Sequence, residues 1–170
     1  MARPKSFDPD IALEKAMQVF WKYGFLGTSM PVLTKSMGIH PGNLYSNFGN
    51  KEQLFYRSIQ LYQKKQRLEM VHFIKSTALD PLSCLKGLLD QMMTNVKLDQ
   101  ENKGCLMINS FLEINQFNDQ IRAKITTHFS DIRRIFENLI KEAKDYGQIS
   151  VYRDTEGMAA MILNLSLIHI

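Results

Sequence analysis

Cysteine, long apolar runs and leader segments are scarce or absent in this sequence of 170 residues. With only Cys84 and Cys105, a disulfide framework is not expected. The longest nearly unbroken apolar run, residues 158–170, is too short and too often interrupted by polar residues to span a bilayer. The first ten residues include basic side chains but no apolar stretch of a signal peptide. These absences predict a cytoplasmic protein that does not enter a membrane.

Motifs for catalysis and for metal binding are also missing. The four histidines, at positions 40, 72, 128 and 169, do not have the spacing of metal ligands. The chain contains neither a glycine-rich phosphate loop nor a nucleophile elbow. We therefore expect no enzymatic activity, no metal and no cofactor, and we interpret His72 and His128 as surface or hinge residues.

The charge of the chain is unevenly distributed. Residues 1–67 carry ten Lys or Arg against four Asp or Glu, a net charge of +6, whereas residues 68–170 carry eleven against thirteen, a net charge of −2. A basic N-terminal third favours a polyanionic partner. Nucleic acid is the leading candidate, and a membrane surface is the second.

Hydrophobic spacing predicts helices along the whole chain and no strand, so the expected class is all-α. A first helix begins with Asp8 as N-cap and Pro9 at the first helical position, and it stops at Gly24. Asp80 and Pro81 repeat this start for a later helix. The longest periodic run covers residues 118–147.

Residues 30–48 form the pattern of two short helices joined by a tight turn. The first covers residues 30–37 and breaks at Gly38; Ile39 then points inward, and the second helix begins at His40 and Pro41. Leu44 and Phe48 are expected to be buried with Leu33 and Met37 in a shared core. This spacing is typical of a helix-turn-helix unit.

The outward face of the second helix has the chemistry of a DNA-reading surface. Gly42 permits close approach to a groove, Asn43 can pair with an adenine edge, and the Tyr45 and Ser46 hydroxyls can reach phosphates or bases. The next helix starts with a capping pair, Asn50 and Gln53, beside Lys51, where a phosphate would fit. A structural corner with no DNA contact is the alternative, and the absence of carboxylates on this face favours the DNA interpretation.

Residues 12–59 resemble the DNA-binding domain of TetR-family transcriptional regulators. The matching pieces are the F-x-x-x-G-F-x-x-T-S passage, the M-G-I turn, L-Y-x-x-F in the second helix and N-K-E-x-L after it. The resemblance implies that Arg3 and Lys5 reach the DNA backbone or minor groove. It implies phosphate contacts for Thr28, Tyr45 and Lys51, and places at or near the major groove His40, Pro41, Gly42, Asn43, Ser46 and Asn47.

The rest of the chain resembles the family in architecture, as a helical ligand-binding and dimerisation domain. The predicted domains are a DNA-binding domain (1–50), a connecting helix (51–76) and a ligand-binding and dimerisation domain (77–170). The implied function is that of a repressor that binds a palindromic DNA operator as a homodimer and is released by a small-molecule effector. Activators also occur in this family.

A G-C-L segment within residues 102–114 resembles that of one TetR subgroup. Its helix is apolar on nearly every side and is therefore expected to be buried all round. The predicted ligand contacts on this helix and the preceding one are Met92, Met93, Cys105, Asn109, Phe111 and Glu113, with plain core packing as the alternative for each.

Two alternatives concern function. Cys105 starts a helix beside Lys103, an arrangement that favours thiolate and hence a regulator that senses oxidants or electrophiles. A helical enzyme, or an interaction domain that does not bind DNA, is the alternative of a different class. We also expect a truncated or altered C-terminus, because residues 158–170 end on an apolar residue without a helix stop.

Overall fold

The computed structural model describes residues 7–76 and 80–168, with side chains as far as residue 165. Arg3, Lys5 and the side chain of Ile168 lie outside this part. Within it the chain forms α-helices, one 3-10 turn and no strand, which confirms the predicted all-α class. The elements are α1 (Pro9–Tyr23), α2 (Met30–Met37), α3 (Pro41–Phe48), α4 (Lys51–Ser76), α5 (Pro81–Leu98), α6 (Leu106–Leu112), the 3-10 turn Ile114–Gln116, α7 (Asp119–Asp145) and α8 (Thr155–Ile168).

The helix starts follow the predicted capping residues. The Asp8 carboxylate accepts a hydrogen bond from the Asp10 N–H at 2.8 Å, and Pro9 occupies the first helical position. The Asp80 carboxylate likewise accepts from the Ser83 N–H at 3.0 Å, and this bond, together with side-chain hydrogen bonds from Ser83 and Gln148, lowers the pKa of Asp80 to about 2. Side-chain acceptors satisfy N–H groups that have no partner inside a helix, so these boundaries are determined locally.

The chain divides into two compact units. The first contains the described residues up to Lys65 together with Cys105–Arg122, and the second contains Gln66–Gly104 and the residues from Ala123 onward. The first unit therefore includes a segment from the C-terminal half of the sequence. The linear domain boundaries 1–50, 51–76 and 77–170 stay predictions.

An aromatic cluster forms the centre of the first unit. The ring of Phe55 lies 5.0 Å from that of Phe20, 5.1 Å from that of Phe25 and 5.0 Å from that of Phe117, centroid to centroid. All four rings are buried. Since Phe117 belongs to residues 105–122, this cluster attaches that segment to α1 and α4.

The second unit has its own hydrophobic core. Cys84, Leu85 and Leu88 of α5 pack with residues of α7 and with Ala159 of α8. Cys84 is buried. On α8, Met161 is 63% exposed and Leu165 46% exposed. Among the described residues, no helix has both the length and the apolar character needed to cross a membrane.

Two expectations about burial were wrong. Helix α6 is not buried all round: Leu106, Met107 and Ser110 share its buried face, whereas Phe111 is 49% exposed and Leu112 81% exposed. The apolar residues of this seven-residue helix do not all lie on the face that packs in its unit, so those off that face stay partly exposed.

His128 is the second case, because it is buried on α7 and not at a surface or hinge. Burial lowers the pKa of His128 to about 4, while Asp131 acts in the opposite direction and Lys124 in the same one. The position follows from the helical period, since residues 121, 125, 128 and 132 lie on one face.

Candidate nucleic-acid interface

The turn between α2 and α3 has the geometry of a helix-turn-helix corner. Gly38 adopts a left-handed conformation with φ 70° and ψ 33°, which glycine accepts without a Cβ clash. The N–H groups of Gly38 and Ile39 both donate to the Thr34 carbonyl, at 3.0 and 3.2 Å. Ile39 is buried, as predicted. The chain thus leaves α2 and enters α3 within three residues.

Helix α3 packs on its apolar face and presents polar residues on the other. Leu44 and Phe48 are buried, whereas Asn43 and Asn47 are half-buried and Tyr45 is 55% exposed. The remaining predicted contact residues of this region are also exposed, and they are His40, Pro41, Gly42 and Ser46. The eight-residue helix carries no carboxylate, so its outward face does not repel phosphate.

Hydrogen bonds at both ends of α3 stabilise this face. The Nδ1 atom of His40 accepts from the Gly42 N–H at 3.3 Å. The Asn47 amide donates to the Asn43 carbonyl at 2.8 Å and to the Ser46 hydroxyl at 3.1 Å. Ser46 and Asn47 therefore have partners within the helix, while Tyr45 is exposed and Asn43 is half-buried.

The start of α4 carries the predicted capping pair. Asn50 Oδ1 accepts from the Gln53 N–H at 2.9 Å, and Gln53 Oε1 accepts from the Asn50 N–H at 3.1 Å. Arg57 of α4 donates from Nη1 to the Asn47 carbonyl at 2.9 Å. The sequence analysis did not identify Arg57 as part of this surface. The available signal was its position four residues, about one helical turn, after Gln53 of the capping pair. A cleft of about 520 Å³ opens beside these residues and the start of α7.

Thr28 and Lys51 are less exposed than Tyr45, the third predicted phosphate contact. Thr28 is buried, and its hydroxyl donates to the Gly24 carbonyl at 2.6 Å. Lys51 Nζ lies 4.3 Å from the centroid of the Phe25 ring, and partial burial lowers its pKa. The hydroxyl of Thr28 is turned into the loop, which does not fit the predicted phosphate contact.

The predicted ligand contacts are divided between the two units. Met92 is half-buried against the core of the second unit, and Met93 is 38% exposed. Cys105, Asn109 and Phe111 belong to the first unit, where Cys105 is the half-buried N-cap of α6 and accepts a hydrogen bond from the Tyr62 hydroxyl at 3.5 Å.

Glu113 also belongs to the first unit, and its carboxylate has other partners than a ligand. Oε2 accepts from the Phe25 N–H at 2.8 Å, and Oε1 accepts from the Leu26 N–H at 3.2 Å. Each carboxylate oxygen thus accepts from one backbone donor, and the ligand contact of Glu113 stays a prediction. These hydrogen bonds join residues 87 and 88 positions apart, so no local sequence signal pointed to them.

Comparisons with known proteins agree with this geometry. The chain is 27% identical over 164 residues to the HTH-type transcriptional repressor ComR of Escherichia coli (strain K12), covering 94% of this chain and 76% of that protein. It also resembles a cysteine mutant of the TetR family transcriptional regulator CifR complexed with 26bp double-strand operator DNA. The two share 25% identity with a TM-score of 0.84, over 98% of this chain and 86% of that one.

The reduced form of NemR from E. coli shares the fold, with a TM-score of 0.84 at 14% identity, over 93% of this chain and 82% of that one. Two family profiles match the sequence itself. Residues 12–57 match the profile described as bacterial regulatory proteins, tetR family, and residues 81–170 match the tetracyclin repressor-like, C-terminal domain. The second profile alone covers more than half of the chain, and the chain therefore belongs to the TetR family of transcriptional regulators.

Proposed function

We propose that this regulator is a repressor that binds a palindromic operator as a homodimer and is released by a small-molecule effector. The observation that carries the proposal is the corner of α2 and α3, whose second helix exposes polar residues and no carboxylate in the basic third of the chain. The proposed DNA contacts are His40, Pro41, Gly42, Asn43, Tyr45, Ser46, Asn47 and Lys51. Such a protein works in the cytoplasm, where bacterial DNA lies.

The direct test is binding of the purified protein to the DNA that flanks its own gene, with a shuffled fragment as control, over a salt series. We expect saturable preference for the flanking DNA and steep weakening with salt, because phosphate contacts release counterions. Equal and weak binding to both fragments by a protein whose measured mass is that of a dimer would contradict the proposal.

Substitutions at single residues distinguish contacts to DNA bases from contacts to phosphates. Asn43→Ala is expected to reduce the preference for operator over shuffled DNA, by about 1–3 kcal/mol if Asn43 pairs with a base edge. Lys51→Ala is expected to weaken binding to both fragments and to lower the salt dependence. Asn95→Ala, an exposed asparagine on α5, is the matched control. Equal losses on both fragments for Asn43→Ala would refute its assigned role.

Dimerisation is assigned to residues 118–146 and 154–170. The exposed Met161 and Leu165 on α8 support this assignment, since apolar side chains of this size are commonly covered in an assembly. Sedimentation of the wild-type chain and of Met161→Glu at one concentration tests it. A dimer that persists unchanged in the variant would exclude this face of α8 from the interface.

Effector binding is assigned to Cys105, Asn109 and Phe111 of the first unit, while the ligand contacts of Met92 and Met93 in the second unit stay a separate prediction. Binding in this region would favour one conformation of the dimer and lower DNA affinity through the coupling between two sites. Loss of operator binding when a candidate effector is added, with shuffled DNA unaffected, is the expected result. An effector whose action survives Asn109→Ala and Phe111→Ala together would place its site elsewhere.

A second candidate mechanism is oxidant sensing through Cys105. Its sulfur is half-buried and hydrogen-bonded by Tyr62, whereas Cys84 is buried in the core of the second unit. Hydrogen peroxide oxidises a thiol to sulfenic acid and is itself reduced to water. We expect peroxide to release the wild-type protein and Cys84→Ser from the operator but not Cys105→Ser. Release of all three proteins alike would contradict this mechanism.

A further inference from the structure

Glu113 makes a two-point contact with the loop between α1 and α2, which comprises residues 24–29. Its two carboxylate oxygens accept from the consecutive N–H groups of Phe25 and Leu26, at 2.8 and 3.2 Å. These N–H groups follow the end of α1, where backbone donors need a partner other than the helix. A carboxylate is an acceptor only, so it satisfies both donors at once.

Gly24 makes room for this carboxylate. A Cβ atom placed on Gly24 would lie 2.9 Å from Glu113 Oε1, and the residue has a φ of 70° that favours glycine. The Gly24 carbonyl then accepts from the Thr28 hydroxyl, and the Thr28 N–H donates to the Phe25 carbonyl at 3.3 Å. The loop is thus closed on itself and attached to Glu113.

The loop leads directly into the DNA-reading part of the unit. Ser29 is the N-cap of α2, and its carbonyl accepts from the Leu33 N–H at 3.1 Å. The N-cap lies only three residues after Leu26, so the loop that Glu113 contacts runs directly into the start of α2. The same loop carries Phe25, whose ring lies under Lys51 Nζ at 4.3 Å.

Glu113 also acts on Lys51 through its charge. Burial lowers the pKa of Lys51, and the negative charge of Glu113 opposes that effect. Lys51 is the first residue of α4 and a proposed phosphate contact. One carboxylate at the end of α6 therefore influences both the start of α2 and the start of α4.

We propose that Glu113 is a positioning residue for operator recognition: it holds the α1–α2 loop and with it the orientation of α3, although it is remote in sequence from the helix-turn-helix. The inference rests on the function proposed above. It assigns to α6 a defined mechanical connection to the reading helix, through two hydrogen bonds within one compact unit.

The test compares Glu113→Gln with Asp10→Asn. Both substitutions remove one negative charge from the first unit, but Asp10 lies exposed in the first turn of α1, away from the loop. A glutamine has one acceptor oxygen and a donor NH₂ group, so it satisfies only one of the two loop N–H groups. Non-specific affinity depends on charge, so the operator affinity of each variant is expressed relative to its affinity for shuffled DNA.

The first readout is binding to the flanking DNA and to the shuffled fragment. Relative to Asp10→Asn, Glu113→Gln is expected to lose about tenfold in the ratio of operator affinity to shuffled-DNA affinity. The second readout is hydrogen exchange of the Phe25 and Leu26 amides, expected to be about tenfold faster in Glu113→Gln, while the Gly38 amide keeps its rate. A merely structural role would lower thermal stability without changing the ratio of the two DNA affinities in the folded protein.

Two outcomes would overturn the proposal, and a third would distinguish its failure from the failure of the proposed function. Unchanged exchange at Phe25 and Leu26 would show that Glu113 does not hold the loop. Faster exchange with the operator affinity of Asp10→Asn would show that the loop does not position α3. If the wild-type protein itself does not prefer the operator, the proposed function fails, while the exchange experiment still decides whether Glu113 holds the loop. Should Glu113→Gln not fold, Glu113→Asp keeps the charge, shortens the reach by one methylene group and has the same expected exchange result.

Discussion

Acidification should destabilise this protein through His128. The side chain is 9% exposed on the inward face of α7, and burial lowers its pKa to about 4 from the ordinary value of 6.5. In the unfolded chain the imidazole binds a proton below pH 6.5, whereas in the native state it does not until about pH 4. The unfolded state therefore binds more protons in this window, and the free energy of unfolding falls as the pH falls.

The size of the effect follows from the two pKa values. When the pH falls from well above 6.5 to well below 4, the free energy of unfolding decreases by about 3 kcal/mol in total. About 2 kcal/mol of this decrease is reached at pH 5. At pH 7 the imidazole is mostly neutral in both states, so the contribution there is close to zero. Asp131 and Lys124 have opposing influences on this pKa, smaller than that of burial.

The assay is urea unfolding at pH 8 and pH 5, at one protein concentration, for the wild-type protein and for His128→Leu. Because other groups titrate as well, the relevant quantity is the difference between the two proteins. The variant should lose less stability than the wild-type protein between these pH values, by about 2 kcal/mol. His72→Gln, at an exposed position of α4, is the control and should behave as the wild-type protein does. Equal pH dependence of wild-type and His128→Leu would refute the reasoning.

Two further predictions concern the first unit. Gly24→Ala and Gly38→Ala both force alanine to a φ of 70°, at roughly 1 kcal/mol each. Only Gly24→Ala also crowds the Glu113 carboxylate, so it should be the more destabilised in thermal unfolding, and equal destabilisation would argue against that crowding. Phe55→Ala should lower the free energy of unfolding by about 3–5 kcal/mol, because the ring is fully buried among three others. A loss below about 1 kcal/mol in chemical unfolding would show that this cluster does not support the unit.

The helix-turn-helix was predicted correctly because the sequence signals that define it are local. Asp8, Gly38 and the pair of Asn50 and Gln53 each bind backbone groups within four residues, so their identities and spacing suffice to place the helix ends. Leu44 and Phe48 lie on one face at helical spacing and are buried as expected.

The predicted burial of residues on α6 and α7 was wrong because burial depends on which part of the fold covers each helix face. The apolar residues of α6 indicated a helix buried all round, but the buried face is the one with Leu106 and Met107, and Phe111 and Leu112 are exposed. His128 was expected at a surface or hinge, although its place in the helical period of α7 puts it on the buried face.

The sequence by itself determined the helices, their ends, the helix-turn-helix corner and the polar face of α3, because these depend on contacts between residues a few positions apart. Only the tertiary structure decided that Glu113 binds the Phe25 and Leu26 amides and that Phe117 joins the aromatic cluster. These contacts bring residues of the C-terminal half against the DNA-reading unit across nearly ninety positions. Their partners are set by how the chain packs, and no local pattern of residues encodes that choice.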